Sequence, residues 1–234
     1  MSYIISPPEE TALQAHLHKL RTQLHEDPEL SWQEHRTTRL VRRELEALCL
    51  EPVPLGLPTG TAALLRGALP GPTVGLRADL DALPITERTG AEFSSRVPGV
   101  MHACGHDIHM AALLGAARLL AARREQLAGN VLFLFQPAEE AATGAMQVLE
   151  QGLFRRVPMA GMLALHVWPG LAQGQLGIRS GAILSAVDSF EITVTGRGGH
   201  GSAPERACNP IPAGAALASA LTTLRANDLP QAEP

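Results

Sequence analysis

Cysteine is scarce in this chain. Cys49, Cys104 and Cys208 are the only three in 234 residues, too few and too far apart for a disulfide framework. Lysine is scarcer still: Lys19 stands alone beside 18 arginines, a bias we read as compositional. No basic run occurs and the net charge of −4 is spread along the chain, which excludes a phosphate-gripping surface and with it a nucleic-acid partner. Long apolar runs are missing as well. The longest mostly apolar stretch, residues 110–122, is broken by Arg118 and is too short to cross a bilayer. The opening MSYIISPPEET has neither the basic start nor the apolar stretch of a secretory signal. There is no internal repeat and no low-complexity tract. These absences predict a soluble cytoplasmic protein without membrane partners.

What is present fits a globular fold. Hydrophobic residues make up 45% and charged residues 18%, far from a disordered composition. A chain of 234 residues removes roughly 70% of its extended surface from water on folding. That length is long for one simple domain and short for two large ones.

The first helix is signalled by Ser6-Pro7-Pro8-Glu9, an N-cap serine followed by a first-turn proline and a glutamate three residues on. Leu13, Leu17, Leu20 and Leu24 then share one face until Pro28. A second helix is predicted over 33–48, burying Val41, Leu45 and Leu48. The segments 61–66 and 73–78 are short, apolar and flanked by Gly and Pro, and read as strands. A helix over 107–126, a strand over 130–135, a helix over 144–152 and a strand over 161–167 follow. This alternation predicts an α/β fold, a mostly parallel mixed sheet flanked by helices. The run VLFLF lacks polar alternation, as a central strand buried on both faces requires. Beyond Gly170, strands are predicted at 174–179 and 186–196. A Gly-rich loop, GRGGHGSAPE, then leads to an Ala-rich helix over 212–225.

Chemistry-bearing residues cluster where the predicted strands end. The 73–78 strand leads into Asp79 and Asp81, and the loop before the long helix carries His102, Cys104, His106, Asp107 and His109. The 130–135 strand leads into Gln136-Pro137-Ala138-Glu139-Glu140, and the 161–167 strand carries His166 near its end. Ligands of open parallel sheets bind beyond the carboxyl ends of the strands, so these groups are expected to converge. Cysteine, histidine and glutamate together suit a zinc-like divalent ion. Of two adjacent glutamates, one can bind the ion and the other stay free as a general base, an arrangement fit for amide hydrolysis.

Each element taken singly has a plainer reading. Glu139-Glu140 suits a solvated helix start, Asp79 and Asp81 a turn, and His166 a satisfied histidine at a strand end. A thiol hydrolase using Cys104 with His102 or His106 is a further reading, but it leaves Glu139, Glu140 and His166 without a task. His16, His18, His25 and His35 lie on or near the N-terminal helices and are read as surface or packing residues.

Six stretches in order give these residues a family. LHEDPELSWQE (24–34), GLRADLDALPI (75–85), MHACGHDIHMAALLGAA (101–117), LFQPAEE (134–140), LALHVWPG (163–170) and GRGGHGSAPE (196–205) make the chain resemble the M20 metallopeptidases. The likeness is to the branch of hippurate hydrolases, N-acyl-amino-acid amidohydrolases and auxin-conjugate hydrolases. The resemblance implies a zinc-exopeptidase-like catalytic domain over 1–184 and, over 185–234, the start of an inserted α+β ferredoxin-like lid. It implies metal-dependent hydrolysis of N-acyl amino acids or related amides, with one or two divalent ions drawn from Zn, Mn, Ni or Co. Cys104 would bridge two ions, His106 and His166 would hold one, and Glu140 the other. Glu139 would activate water and protonate the leaving amine, and Asp79 would orient the site from behind. His200 would belong to the lid and stabilise the tetrahedral oxyanion across a homodimer.

The chain departs from that pattern in one direction. The family takes a further histidine ligand from a later segment, and no histidine follows His200. The expectation is therefore a chain cut within its lid, with a weak second metal position. A catalytically inactive remnant that binds metal or a full-length partner is the alternative function.

Overall fold

The computed structural model describes residues 6–181, 183 and 190–227. The chain divides into two compact units, Met1–Ala172 and Gln173–Pro234. The boundary expected between 184 and 185 falls at residues 184–189, outside the described residues.

The first unit opens with α1 (Pro7–Glu26). As the Ser-Pro-Pro-Glu signal predicts, the Ser6 N–H donates to Glu9 Oε2 at 3.1 Å. Next come α2 (His35–Ala47), β1 (Glu51–Val53), β2 (Thr61–Arg66), β3 (Leu69–Asp79) and α3 (His106–Ala121). After them lie β4 (Ala128–Gln136), α4 (Gly144–Glu150), α5 (Leu153–Arg156) and β5 (Gly161–Ala164). The predicted 107–126 helix ends at Ala121, and a 3-10 turn at Arg124–Gln126 leads into β4. The strand predicted to reach 167 stops at Ala164. Among the described residues it pairs only with β3, at the edge of the sheet. β1 and α5, both very short, carry no periodic signal.

The five strands order as β1-β2-β4-β3-β5. β3 is parallel to β4 and to β5, while β2 is antiparallel to β4 and to β1. Four of the five strands therefore point the same way, and β2 alone is reversed. Alternate residues of β4 enter two cores. Val131, Phe133 and Phe135 pack with Leu20, Leu24, Val41, Leu45, Met110 and Leu114 of the three long helices. Leu132 and Leu134 pack on the other face with Val148 and Leu153. This double burial is why VLFLF shows no alternation. Edge strand β5 is open by contrast, with Leu163 65% exposed and Leu165, just past its end, 64% exposed.

In the second unit α6 (Ile211–Asn227) forms where an Ala-rich helix was expected. A 3-10 turn spans Pro204–Arg206, and Arg197 makes an isolated bridge with Cys208. The strand predicted at 174–179 is not formed. A strand needs a ladder partner, and among the described residues none pairs with it. Of the 186–196 strand, residues 186–189 lie outside the described residues and 190–196 form no strand. Among the described residues no helix is long and apolar enough to cross a membrane.

Candidate metal centre

β3, β4 and β5 run parallel, and the register pairs Asp79 with Gln136 and Arg77 with Ala164. Their carboxyl ends thus lie side by side at one edge of the sheet. Asp79 closes β3, Glu139 and Glu140 follow β4 after the two residues Pro137 and Ala138, and His166 lies two residues past β5. From the opposite side, Cys104 precedes α3 and His106 is its first residue. Gly105 between them caps the helix at φ +93, and a Cβ there would meet Val167 Cγ2 at 2.5 Å. Only glycine takes that backbone without strain.

The predicted groups do meet. Cys104 Sγ lies 3.5 Å from His166 Nε2. His106 Nε2 lies 3.7 Å from Glu140 Oε1 and 3.8 Å from Glu139 Oε2. Ligand atoms of Cys104, His106 and His166 fall within 4.8 Å of one another, as do those of His106, Glu139 and Glu140. Asp79 lies 3.6 Å from His106 Nε2. His200 stands in the second unit, exposed, with Nδ1 2.8 Å from Ser202 Oγ.

The hydrogen bonds decide which nitrogens face an ion. His106 donates from Nδ1 to the Asp81 carbonyl at 2.8 Å, and His166 from Nδ1 to the Val167 carbonyl at 2.7 Å. Both rings therefore keep a free lone pair on Nε2. His109 donates from Nδ1 to Asp79 Oδ1 at 2.7 Å and accepts the Val167 N–H on Nε2 at 3.0 Å. With both nitrogens taken, His109 braces the site and offers no ligand atom, although it also lies near Asp79 and His106.

The residues fit a divalent cation. Buried His106 Nε2 has no hydrogen-bond partner, a costly state for an atom aimed at a thiol and two carboxylates. Burial and then the charge of Glu140 push the Cys104 thiol up to about 12, and Glu139 and Asp79 add to the effect. Burial raises Glu139 too, against the charge of His106 and with the repulsion of Asp79 and Glu140. A set of soft and hard anionic donors that oppose one another's ionisation is stabilised by positive charge in their midst.

Sequence reasoning placed Asp79 and Asp81 at this edge but gave Asp81 no role, and it passed over Ser31 and Arg77. Asp81 accepts the backbone N–H of Glu139 on Oδ1 at 3.0 Å and of Glu140 on Oδ2 at 2.9 Å, and Ser31 Oγ donates to Oδ2 at 2.6 Å. Burial opposes ionisation of Asp81, but the donors from His106, Ser31 and these two amides outweigh it and keep its pKa low. Burial likewise opposes ionisation of Asp79. The His109 hydrogen bond and the charges of His106 and Arg77 hold it well below the carboxylate range. Arg77 joins the two strand ends, donating to Asp79 at 2.7 Å and to Gln136 at 3.1 Å.

A cavity of about 560 Å³ adjoins Cys104 and His166 and reaches His102 and His25. Burial lowers His102 to about 4, so its ring is neutral near pH 7. His25, read from sequence as a surface or packing residue, is buried between Asp107 at 2.8 Å and Glu87 at 3.2 Å.

Comparison with known proteins agrees with this geometry. Residues 75–232 match the profile of Peptidase family M20/M25/M40. The chain is 44% identical over 214 residues to N-acetylcysteine deacetylase of Bacillus subtilis, covering 91% of this chain and 56% of that protein. It is 39% identical over 217 residues to N-acyl-L-amino acid amidohydrolase of Geobacillus stearothermophilus, covering 92% and 58%. The solved YXEP protein of Bacillus subtilis, a dinuclear metal-binding peptidase of the M20 family, superposes with a TM-score of 0.66 at 46% identity. That superposition covers 69% of this chain and 45% of the other. The chain thus spans about half the length of the relatives it matches. On the profile match and on its likeness to these relatives, the chain belongs to peptidase family M20/M25/M40.

Proposed function

We propose that this chain carries the metal-binding and water-activating residues of a hydrolase that cleaves the amide bond of N-acyl amino acids or related amides. The observation that carries the reading is the convergence of Cys104, His106, His166, Glu139 and Glu140 where three parallel strands end, with His106 Nε2 buried and unpartnered. The deacetylase and amidohydrolase relatives support the substrate class.

Cys104, His106 and His166 would hold one ion, with Cys104 and Glu140 reaching a second. Thiolate and imidazole favour zinc on affinity, while manganese, nickel or cobalt are alternatives set by supply. Bound there, such an ion polarises the amide carbonyl and makes water a better acid. Glu139, half exposed beside His106, takes the proton from water on its carboxylate as the oxygen attacks the carbonyl carbon. Its raised pKa suits it to return that proton to the nitrogen as the C–N bond breaks. Asp79 and Asp81 hold His106 and the Glu139–Glu140 turn in place. His200 we assign to the oxyanion, within a lid that starts near residue 185 and forms a homodimer contact. Three free cysteines suit a reducing, cytoplasmic setting.

The test is hydrolysis of a panel of N-acetyl and N-benzoyl amino acids by the purified chain, with zinc or manganese added and after chelation, beside Glu139→Gln. Metal-dependent turnover lost in Glu139→Gln supports the reading. Stoichiometric metal with no turnover on any substrate favours the non-enzymatic binding role. Turnover that survives complete metal removal sinks the metal mechanism.

A further inference from the structure

The motif LSWQE (30–34) lies outside the donor set, yet its residues grip the turn that carries Glu139 and Glu140. Ser31 holds Asp81, whose carboxylate receives both glutamate amides. Trp32 Nε1 donates to Thr143 Oγ1 at 3.1 Å, beyond the pair. Glu34 reaches the residue just before it. Its Oε1 accepts the Ala138 N–H at 2.8 Å, and its Oε2 accepts the Thr59 hydroxyl at 2.7 Å.

Three features set Glu34 apart from a packing residue. It is 0% exposed, and among the described residues it makes no ion pair, so a carboxylate there is expensive. It stands at the N-cap of α2, yet its side chain does not cap that helix. Glu29 instead accepts the Thr37 N–H at 2.8 Å. Its partner Ala138 has φ +49, a left-handed backbone that a non-glycine residue keeps only when its surroundings hold it. The turn is closed behind Ala138 as well, since the Gly144 N–H donates to the Ala138 carbonyl at 3.1 Å.

We propose that Glu34 is a positioning residue: by holding the Ala138 amide it keeps the backbone left-handed there and so aims Glu139 and Glu140 at the metal centre. The proposal rests on the metal centre assigned above. Released from Glu34, Ala138 relaxes toward an ordinary backbone region, and the next two amides lose their alignment on Asp81.

The test is Co(II) titration of the purified chain, read as affinity and as the thiolate-to-cobalt absorption of Cys104, beside melting of the metal-free protein. Glu34→Met keeps the volume and removes the acceptor, and Glu34→Gln keeps an acceptor without the charge. The expected result is a loss of about tenfold or more in Co(II) affinity for Glu34→Met, the range seen when supports of metal ligands are removed. Glu34→Gln is expected to stay within about fivefold of wild type. Unchanged affinity in folded Glu34→Met overturns the proposal, even where melting falls, because a packing role lowers stability alone. Equal loss in both variants also overturns it, assigning the effect to charge. Should Glu34→Met not fold, Glu34→Gln decides: affinity within fivefold upholds the proposal and a larger loss overturns it. If wild type gives no thiolate–cobalt absorption, the metal centre itself is refuted and this proposal falls with it.

Discussion

Cys104 Sγ and His166 Nε2 stand 3.5 Å apart although 62 residues separate them in the chain. The thiol precedes α3 and the imidazole follows β5, so neither element can place an ion alone.

Removing either member should therefore disable the same site. Cys104→Ser and His166→Ala are each expected to weaken zinc binding by about a hundredfold or more, since even outer supports are worth tenfold to a hundredfold. Competition with a chromophoric chelator measures this. Affinity lost in one variant and kept in the other would show that the two residues do not share an ion.

Asp81 is the second point of control, because one carboxylate serves two consecutive amides. Asparagine offers one acceptor oxygen and turns an NH₂ group toward the other N–H. Asp81→Asn is expected to cost about 1–3 kcal/mol in urea unfolding, the penalty of a buried unsatisfied donor. Zinc affinity should fall as well, by about tenfold.

These supports explain how far the sequence could be read. The donor residues were legible because each follows an apolar strand or opens a long helix, and such positions follow from local patterning. The roles of Glu34, Asp81, His25 and His109 were not. Glu34 meets Ala138 across 104 positions and His25 meets Asp107 across 82, and no local period encodes a pairing at that distance. His109 has the residue type of a ligand, and only its bonds to Asp79 and Val167 reveal that both nitrogens are spent. α1 and α2 were readable from the period of their apolar residues, and β2 and β4 as short apolar runs. The short β1 and α5 were not, and the apolar 174–179 segment misled because strand pattern without a partner makes no ladder.

His25 gives the fold a pH dependence of known sign. Its two nitrogens face Asp107 and Glu87, and the Asp107 hydrogen bond, against burial, raises its pKa above 6.5. A pKa raised on folding adds stability that is fully present below about 6.5 and lost as the pH climbs through the folded value. The stability gap between wild type and His25→Gln should therefore be widest near about pH 6 and narrow toward about pH 9. Asp107 works in the opposite sense. Burial opposes its ionisation but the His25 bond prevails, so its contribution is present above 3.8 and fades in acid. Urea unfolding of both proteins across this range is the measurement, and a gap that grows with pH would contradict it.

Gly105→Ala tests the joint between Cys104 and His106. The left-handed backbone costs a non-glycine residue about 1–2 kcal/mol, and the new methyl overlaps Val167. A fall in Tm of about 2–8 °C is expected by calorimetry, with weakened zinc binding. An unchanged Tm would mean that the α3 entrance adapts freely.

The two-sided burial of β4 has a consequence for how the centre comes apart. Amides of a strand clamped between two cores exchange with solvent only when the whole unit opens, whereas loop amides exchange through small local openings. Glu139 and Glu140 are tethered to that clamped strand, while Cys104 and His166 sit on a loop entrance and beyond an exposed edge strand. On warming, the thiol and imidazole side should loosen first. The carboxylate side should persist until the sheet itself melts, giving the centre one slow half and one fast half.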